Sequence, residues 1–428
     1  MTLTSWTAPV RRAMAGACAA AALVTPPAHA APRFDLVSRH GPTSVPAGYD
    51  VAAVSGNGRW VAYVVRPGGD LADGVDVSTG SETELWVKDL ATGTETKVAT
   101  GMCCGDALTF SRDGRWLVFD DDKPVVAGDT NNATDVHVYD TRLRRLTRVT
   151  DVRGRQLEKG AFAGVVTADG RTVVFTSYSD VLAKRGQQAP PCAVYKYSFA
   201  TRRTTPVLVA GQPVCAFTGE IAVNADGRYV ALVSMEPLDR ADGIASQDVY
   251  RIDTVRGTAT LVSEPRVNQN TEEHSADPAI DGSGRLVAWV VFGAGGSLGP
   301  TKKVMLRDVT SGRLVPVHTG LLGDATPMTD EPALSENGRW FSFTETNGNV
   351  LLAEQADAHN VYLRDLTKGV ATATRIETAG SCAHASCYHP ASSGAVLSGD
   401  GKVVAYLTNV AHADGDDDSN FDVYVYRQ

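Results

Sequence analysis

The densest group of possible metal ligands is an acidic segment close to the C-terminus. Side-chain oxygens recur there at every second residue, in Asp414, Asp416, Asp418, Asn420 and Asp422. Carboxylate and amide oxygens at this spacing match what a tight loop needs to surround a hard cation such as Ca²⁺. Closely packed like charges repel one another, so a bound cation would remove a cost that a solvated loop leaves to screening by salt. The segment is therefore a candidate calcium loop.

A sparser version of the same pattern occurs earlier in the chain, in Asp129, Asn131 and Asp135. Neither loop has the glycine and the final glutamate that complete an EF-hand loop. A structural role is the alternative, because Asp135, Asp248 and Asp422 precede the same kind of strand, and a carboxylate there can accept backbone hydrogen bonds within a turn. The sequence supports both calcium as a cofactor and a structural role for these side chains.

Cysteine and histidine form a second group of possible ligands. Four residues in one segment have spacings that could surround a transition metal, namely Cys382, His384, Cys387 and His389. In an exported chain, an even number of cysteines outside the first thirty residues favours disulfides over metal ligation. We therefore predict a Cys382–Cys387 disulfide and keep the metal site as the alternative.

The elements that must position these residues come from one motif that occurs seven times. Each copy has a small polar residue, a turn centred on glycine, a basic residue and then an alternating apolar strand. The copies are SGNGRWVAYVV at Ser55, SRDGRWLVFD at Ser111, TADGRTVVFTS at Thr167, NADGRYVALVS at Asn224, DGSGRLVAWVV at Asp281, SENGRWFSFT at Ser335 and SGDGKVVAYLT at Ser398. The turn glycines are 54 to 63 residues apart, and so regular a period predicts stacked or radial repeats.

Each period contains the patterns of four strands. Asp-Gly and Asn-Gly turns allow the positive φ angles of a tight hairpin, so each copy joins two antiparallel strands. A third strand with alternating apolar side chains follows, as in DVHVYDT at Asp135 and NVYLRDL at Asn360, and a short turn leads to a fourth. Four antiparallel strands in each period make one blade of a β-propeller.

The two ends of the chain predict how the ring closes. The seventh copy stops after its third strand at Gln428, whereas residues 33–38 resemble the fourth strand of another copy at residues 260–263. Pairing the N-terminal segment beside Asp422–Arg427 would complete the seventh blade and remove an exposed strand edge. The predicted fold is all-β: a seven-bladed propeller of four-stranded blades over residues 31–428, closed by an N-terminal outer strand.

The S-x-D/N-G-R/K motif, followed by strands of the D/N-V-Y type, is similar to the repeat of the TolB-type β-propeller family over essentially all of residues 33–428. The resemblance implies the fold and says little about function, because one fold serves many functions. TolB proper has an α/β domain before its propeller, and propeller-containing prolyl oligopeptidases carry a hydrolase domain. We expect neither domain in this chain, so an envelope role like that of TolB is not implied.

The propeller places the remaining candidates in its loops. His274, His384 and His389 fall in loops that enter an innermost strand, so we expect them around one mouth of the central tunnel. Converging histidines there would form a metal site, and separate solvated histidines are the alternative.

Position in the blades also guides the other cysteine pairs. Cys192 and Cys215 lie in loops that emerge on the same face of a propeller, which favours their pairing. Cys103 and Cys104 are then left to pair with each other, although adjacent Cα atoms, about 3.8 Å apart, are closer than in a usual disulfide.

The first thirty residues predict export. A basic pair, an apolar stretch and the sequence Ala-His-Ala ending at Ala30 are typical of a secretory signal peptide over residues 1–30. The apolar stretch is shorter than the roughly 20 residues of a membrane span, so we expect a soluble protein. We expect it to be monomeric and to be secreted, periplasmic or at the cell surface. A net charge of −9 without a basic stripe argues against nucleic acid as a partner.

Two functions fit these observations. The favoured one is a non-catalytic binding or scaffold propeller that recognises an envelope or extracellular protein, a peptide or a glycan through its loops, where binding residues concentrate on rigid scaffolds. The alternative is a metal-dependent polysaccharide lyase or hydrolase with its site at the tunnel mouth. We assign no catalytic residue, because the nucleophile-elbow pattern at residues 295–299 lies between two strands and lacks the strand-to-helix turn that this motif needs.

Overall fold

The alternating apolar segments form strands at the predicted positions. A computed structural model of the chain describes residues 33–38, 47–67, 83–102, 108–150, 156–179, 192–217, 220–240, 242, 246–264, 274–293, 301–315, 317, 328–346, 359–368, 373–376, 392–410 and 421–428. Within these ranges the strands form seven four-stranded antiparallel sheets and one two-stranded hairpin. The chain is thus an all-β, seven-bladed propeller. In the described part of the chain, no helix is long and apolar enough to cross a membrane.

The strands of each blade are given from the tunnel outward. Blade one has β2 (Ala47–Val54), β3 (Trp60–Pro67), β4 (Thr83–Asp89) and β5 (Thr94–Met102). Blade two has β6 (Thr109–Phe110), β7 (Trp116–Asp121), β8 (Asp135–Asp140) and β9 (Arg145–Arg148). Blade three has β10 (Ala161–Val166), β11 (Thr172–Ser177), β12 (Ala193–Ser198) and β13 (Arg203–Pro206), and the hairpin of β14 (Leu208–Val209) and β15 (Gln212–Pro213) follows.

The remaining blades repeat this order. Blade four has β16 (Ile221–Val223), β17 (Tyr229–Ser234), β18 (Asp248–Asp253) and β19 (Thr258–Leu261). Blade five has β20 (His274–Ile280), β21 (Leu286–Gly293), β22 (Thr301–Asp308) and β23 (Arg313–Leu314). Blade six has β24 (Met328–Leu334), β25 (Trp340–Thr346), β26 (His359–Asp365) and β27 (Thr374–Arg375). Blade seven has β28 (Ser392–Leu397), β29 (Val403–Thr408), β30 (Asp422–Arg427) and, from the N-terminus, β1 (Arg33–Leu36).

The glycine turn between the first two strands of each blade forms as its sequence predicts. The seven turn glycines have φ between 65° and 75°, in the left-handed region that other residues avoid. In blade one the Ser55 hydroxyl accepts a hydrogen bond from the Trp60 N–H (2.9 Å), and Asn57 Oδ1 accepts one from the Arg59 N–H (3.0 Å). The polar residues of the motif thus hold the turn through side-chain to backbone bonds.

The arginine after the turn ties the second strand to the third in most blades. Arg59 donates two hydrogen bonds to Asp89, the last residue of β4 (2.8 and 2.7 Å). We call this pair the Arg–Asp lock. It recurs as Arg115–Asp140, Arg228–Asp253, Arg285–Asp308 and Arg339–Asp365. Blades three and seven have Ser198 and Arg427 at the aspartate position and so lack the lock.

The core of the described structure consists of apolar clusters between adjacent blades. Side chains alternate along each strand, so one strand contributes to two clusters. Val61 and Tyr63 pack against blade seven, whereas Ala62 and Val64 pack against blade two, and all four are buried. Because both faces of the central strands are buried, these strands have nearly continuous apolar sequences.

Blade seven is closed by the N-terminal segment, as predicted. β1 pairs antiparallel with β30. Ser38 donates a hydrogen bond to Asp422 (2.6 Å) and accepts one from the following Val423 N–H (2.9 Å). Ser263 in blade four makes the same two bonds, with Asp248 (2.7 Å) and the N–H after it (3.1 Å). The N-terminal segment therefore makes the side-chain contacts of an ordinary fourth strand.

Candidate functional site

The central tunnel is lined by the innermost strand of each blade. These strands contact one another in order around the ring, and β28 of blade seven contacts β2 of blade one. We call the end of the tunnel at the seven glycine turns the turn end. The opposite end, where the innermost strands begin, is the loop end.

Several innermost strands have a β-bulge near the loop end. The pairing register shifts in β2, β10, β20, β24 and β28. Four residues at these bulges have φ between 49° and 64°: Ala163, Asp277, Glu331 and Gly394. Each lies four residues before the turn motif of its blade, so the bulge is part of the repeat. Left-handed residues other than glycine are uncommon and concentrate at functional sites.

Three carboxylates occupy this repeat position in consecutive blades. They are Glu220 in blade four, Asp277 in blade five and Glu331 in blade six. Asp330, beside Glu331, forms an ion pair with Lys302 at the start of β22. One arc of the loop end thus carries four carboxylates and one ammonium group. We call these five residues the acidic mouth.

Most groups of the acidic mouth are engaged in contacts between neighbouring blades. Glu220 Oε2 accepts a hydrogen bond from the backbone N–H of Asp277 (2.8 Å). Glu331 Oε2 accepts bonds from the Gly394 N–H (2.7 Å) and the Thr344 hydroxyl (2.6 Å). In both cases a carboxylate of one blade satisfies the N–H at the bulge position of the next blade. These two side chains have a structural role because they hold the bulges.

The side chain of Asp277 differs from its neighbours. Its carboxylate accepts no hydrogen bond from any residue that the structure describes, and it is only partly exposed. Burial raises the pKa of Asp277 to about 7, and the nearby charges of Glu220, Asp330 and Glu331 raise it further while Lys302 lowers it. Such a pKa shift, caused by desolvation and like charges, marks a candidate functional group.

The turn end is built from backbone contacts. Each turn donates an N–H to the carbonyl of a turn in a neighbouring blade, at 2.7 to 3.1 Å, and the bonds close into a ring. The donor and acceptor residues are Asn57 and Arg112, Arg112 and Ala168, Asp169 and Ala225, Ala225 and Gly282, Gly282 and Glu336, Asn337 and Gly399, and Gly399 and Gly56.

One ion pair crosses this ring. Arg112 of blade two donates a hydrogen bond from Nε to Glu336 Oε2 of blade six (2.6 Å). The glutamate passes close to Gly56 and Gly399, where an added Cβ would lie within 3.0 Å of its carboxylate. The pair therefore spans the turn end of the tunnel, at the opposite end from the acidic mouth.

The predicted histidine site is only partly within the described structure. His274 begins β20 at the loop end, three residues before Asp277, and is exposed. His384 and His389 lie outside the described residues, so their convergence with His274 stays a hypothesis. Within the described ranges, no three His, Cys, Asp or Glu side chains are grouped as a metal site would require.

The cysteine predictions have a similar outcome. Cys192 and Cys215 form a disulfide with a Cα–Cα distance of 5.3 Å, as predicted. Cys103, Cys104, Cys382 and Cys387 lie outside the described residues, and so does the elbow pattern at residues 295–299. Those assignments stay predictions.

In the predicted calcium loop of blade two, an arginine side chain of the protein lies between the carboxylates. Arg148 Nη1 lies 3.4 Å from carboxylate oxygens of both Asp129 and Asp135. The Gln156 amide also donates to both carboxylates, at 2.5 and 2.8 Å, and Asn131 donates its amide to a backbone carbonyl (2.6 Å). These contacts give the loop a structural use of its side chains, and calcium binding there stays a prediction.

Both predicted calcium loops end in an aspartate at the same blade position, and this aspartate has the structural role that its repetition indicates. Asp135, Asp248 and Asp422 each accept a hydrogen bond from a hydroxyl after the fourth strand of the same blade, at 2.6 to 2.7 Å, from Thr150, Ser263 and Ser38 respectively. The other residues of the blade-seven loop, Asp414, Asp416, Asp418 and Asn420, lie outside the described residues. A calcium site there stays a prediction.

Reading the sequence blade by blade did not single out the acidic mouth, although an alignment of the repeats carries the signal. The residues four positions before the turn motif are Val51, Ala107, Ala163, Glu220, Asp277, Glu331 and Gly394. Three consecutive acidic residues at one repeat position predict a charged arc on the tunnel wall, because equivalent positions lie at equal depth in a ring.

Comparisons with known proteins show the fold. No protein-family model matches the chain, and no curated protein matches it. Among solved structures, oligogalacturonate lyase from Vibrio parahaemolyticus matches with a TM-score of 0.55 and 11% identity, over 92% of this chain and 93% of that chain. The β-propeller domain of the Trilobed protease from Pyrococcus furiosus has a TM-score of 0.54 and 11% identity, over 89% and 93%.

A third similar structure belongs to a larger enzyme. The acylaminoacyl peptidase of Pyrococcus horikoshii has a TM-score of 0.51 and 13% identity, and the match covers 89% of this chain and 52% of the peptidase. Identities this low establish the propeller fold, which lyases and peptidases share, and leave the chemistry to the site itself. Membership of the TolB-type family in particular stays a prediction.

Proposed function

We propose that the chain is an exported binding propeller that holds a cationic group of a peptide or protein ligand in the acidic mouth of its tunnel. The observation that carries this proposal is the carboxylate of Asp277, which faces three other carboxylates and accepts no hydrogen bond from the described residues. Export is the expectation from the first thirty residues, and the loop face is where the sequence analysis places binding.

The charge balance of the mouth favours a cation. Four carboxylates and one lysine give a local charge of about −3 when all are ionised, and the repulsion among them is a cost that a bound ammonium or guanidinium group would offset. Glu220, Glu331 and Asp330 already have partners within the protein. Asp277, whose carboxylate accepts no hydrogen bond from the described residues, is therefore the best placed of the four to accept hydrogen bonds from a ligand.

Calorimetric titration with an Ala-based peptide that contains two lysines tests this proposal, with the same peptide carrying glutamines as the uncharged comparison. We expect the lysine peptide to bind and Asp277→Asn to weaken the binding about tenfold or more, as for loss of a charge-assisted hydrogen bond. Glu264→Gln is the matched control, because it removes one negative charge from a side chain that is 65% exposed.

The pH dependence provides a second measurement. Because the pKa of Asp277 is about 7, affinity for the lysine peptide should rise between pH 6 and pH 8 as the carboxyl group ionises, and Asp277→Asn should remove most of this rise. No binding of either peptide, or equal binding by the wild type and Asp277→Asn, would reject the proposal.

The alternative function, an enzyme at the same mouth, also has one observation in its favour. A carboxyl group with a pKa near 7 beside an ammonium group is suited to general acid–base catalysis. In that case oligosaccharides would be cleaved by the wild type and not by Asp277→Asn, with a pH optimum near neutrality. Product analysis by mass spectrometry after incubation with acidic and neutral oligosaccharides distinguishes the two functions.

A further inference from the structure

Large apolar side chains are exposed on the loop end of blades three and four. Tyr178, Phe217 and Met235 are exposed to 43%, 44% and 41%. Tyr178 follows the second strand of blade three, Met235 follows the second strand of blade four, and Phe217 lies before the first strand of blade four. All three positions belong to the end of the blades where the acidic mouth lies.

Contacts join these residues in two pairs at the same end of blades three and four, and a disulfide ties the two segments together. The rings of Phe162 and Tyr178 are 5.2 Å apart, and the Phe217 N–H donates a hydrogen bond to the Val233 carbonyl (2.9 Å), two residues before Met235. The disulfide joins Cys192, at the start of β12, to Cys215, two residues before Phe217. We call Phe162, Tyr178, Phe217 and Met235 the apolar patch.

The apolar patch adjoins the acidic mouth. Phe217 is three residues before Glu220, so their Cα atoms are at most about 11 Å apart. Phe162 immediately precedes Ala163, which occupies in blade three the bulge position that Asp277 occupies in blade five. A single extended segment of a few residues can therefore contact both surfaces.

The distribution of exposed apolar residues sets this region apart. The other exposed large apolar side chains in the described structure are Leu143 and Val255. Both lie in turns between third and fourth strands at the turn end, in separate blades. Isolated apolar residues of that kind are normal on a protein surface, whereas grouped ones beside polar residues mark interaction sites.

From this juxtaposition we infer that the loop end docks an extended peptide segment of another protein in which an aromatic or aliphatic side chain lies next to a lysine or arginine. The apolar side chain packs on the apolar patch, and the basic side chain enters the acidic mouth. This inference rests on the proposed function and adds that the ligand residue next to the basic one is apolar. Charge complementarity between the mouth and the basic residue fixes the direction of the peptide across the two surfaces.

Fluorescence anisotropy with three labelled Ala-based octapeptides tests the inference. One contains Phe-Leu-Lys-Lys, one Ala-Ala-Lys-Lys and one Phe-Leu-Gln-Gln. We expect the first to bind about tenfold or more tighter than the second, because burial of one large apolar side chain is worth at least that factor. We expect Phe217→Ser to remove this difference and to leave the affinity for the second peptide unchanged.

Controls separate docking from damage to the fold. Leu143→Ser and Val255→Ser remove more exposed apolar side chains (68% and 76%) at the turn end and should change no affinity. An unchanged melting temperature of Phe217→Ser shows that the propeller is intact, and Met235→Ser provides an independent change in the same patch.

The outcomes distinguish this inference from the proposed function. Equal affinities for the first two peptides, with binding that still depends on Asp277, overturn the docking of an apolar side chain and leave the cation site standing. Absence of binding by all three peptides overturns both. A dimer in sedimentation velocity that Phe217→Ser dissociates assigns the patch to a second copy of the chain, which also overturns the inference.

Discussion

Backbone groups form one end of the tunnel, and side chains form the other. The turn end is a ring of backbone hydrogen bonds between glycine-containing turns, and the same contacts recur from blade to blade. The loop end is defined by side chains that differ from blade to blade, and among the described side chains at the bulge position those of blades four to six are carboxylates. The turn end thus repeats one backbone contact to close the ring, whereas the side chains at the loop end vary between blades.

The carboxylates at the two ends are shifted in opposite directions. In the Arg–Asp locks near the turn end, the hydrogen bonds from Arg59, Arg228 and Arg339 lower the pKa of the paired aspartates, that of Asp253 to about 2. At the loop end, burial raises the pKa of Asp277 to about 7 and also raises that of Asp135. The protein thus favours the charged form of the aspartates paired with arginine near the turn end and the neutral form of these two aspartates at the loop end.

The largest expected effect is on stability at the turn end. In Gly282→Ala the new Cβ would lie 2.5 Å from the Glu336 carbonyl oxygen, and two backbones would have to move apart. We expect a loss of about 3 kcal/mol in the free energy of unfolding, measured by urea denaturation. Gly211→Ala is the control, because its Cβ meets nothing within 4 Å and only its positive φ costs about 1 kcal/mol. Equal losses in both variants would contradict the role of the ring.

A second effect concerns a buried histidine near the loop end of blade two. Burial lowers the pKa of His137 to about 4, below its value of about 6.5 in the unfolded chain. Protonation therefore favours the unfolded state, and up to about 3 kcal/mol of stability should be lost as the pH falls from 6.5 to 4.

His137→Phe tests this loss, since the equivalent positions of the other blades carry Trp86, Tyr195, Tyr250, Met305, Tyr362 and Tyr424. Denaturation curves between pH 4 and 7 should show a shallower decline in the variant. A parallel decline in both proteins would assign the acid sensitivity to other groups.

A third, smaller effect is expected at the acidic mouth itself. The folded-state pKa of Asp277 lies above that of the unfolded chain, so ionisation costs stability as the pH rises from about 4 through 7. Asp277→Asn should raise the free energy of unfolding at pH 8 by about 2 kcal/mol, allowing for screening by solvent, and should leave it nearly unchanged at pH 4. A variant that is less stable at pH 8 would show that Asp277 serves the fold.

The smallest effect would come from extending the repeated pattern. Blade three has Arg171 after its turn and Ser198 where other blades have the aspartate of the lock. Ser198→Asp should create the missing pair and raise stability by about 0.5 kcal/mol, as expected for an exposed ion pair with good geometry. Ser198→Asn serves as the uncharged comparison in thermal unfolding, and the gain should shrink at high salt.

Local sequence patterns are sufficient to predict the blades and the closure of the ring. The glycine turns, the alternating strands and the fourth strand at residues 33–38 are local patterns, in which each residue acts through neighbours a few positions away. They predicted the seven sheets and the pairing of β1 with β30, and the loop positions of Cys192 and Cys215 predicted their disulfide. Ser38 makes the same two hydrogen bonds that Ser263 makes in blade four, which agrees with the resemblance between the two segments.

The charged groups on the tunnel wall come together only in the folded ring. Glu220, Asp277 and Glu331 are more than fifty residues apart, and they become neighbours because a closed ring brings equivalent positions of adjacent blades together. The pair of Arg112 and Glu336 forms across the ring, between blades that are not adjacent. Asp277 accepts no hydrogen bond from the described residues, whereas Glu220 and Glu331 accept bonds from neighbouring groups. Such contacts depend on the distances between blades, and no pattern within one blade encodes those distances.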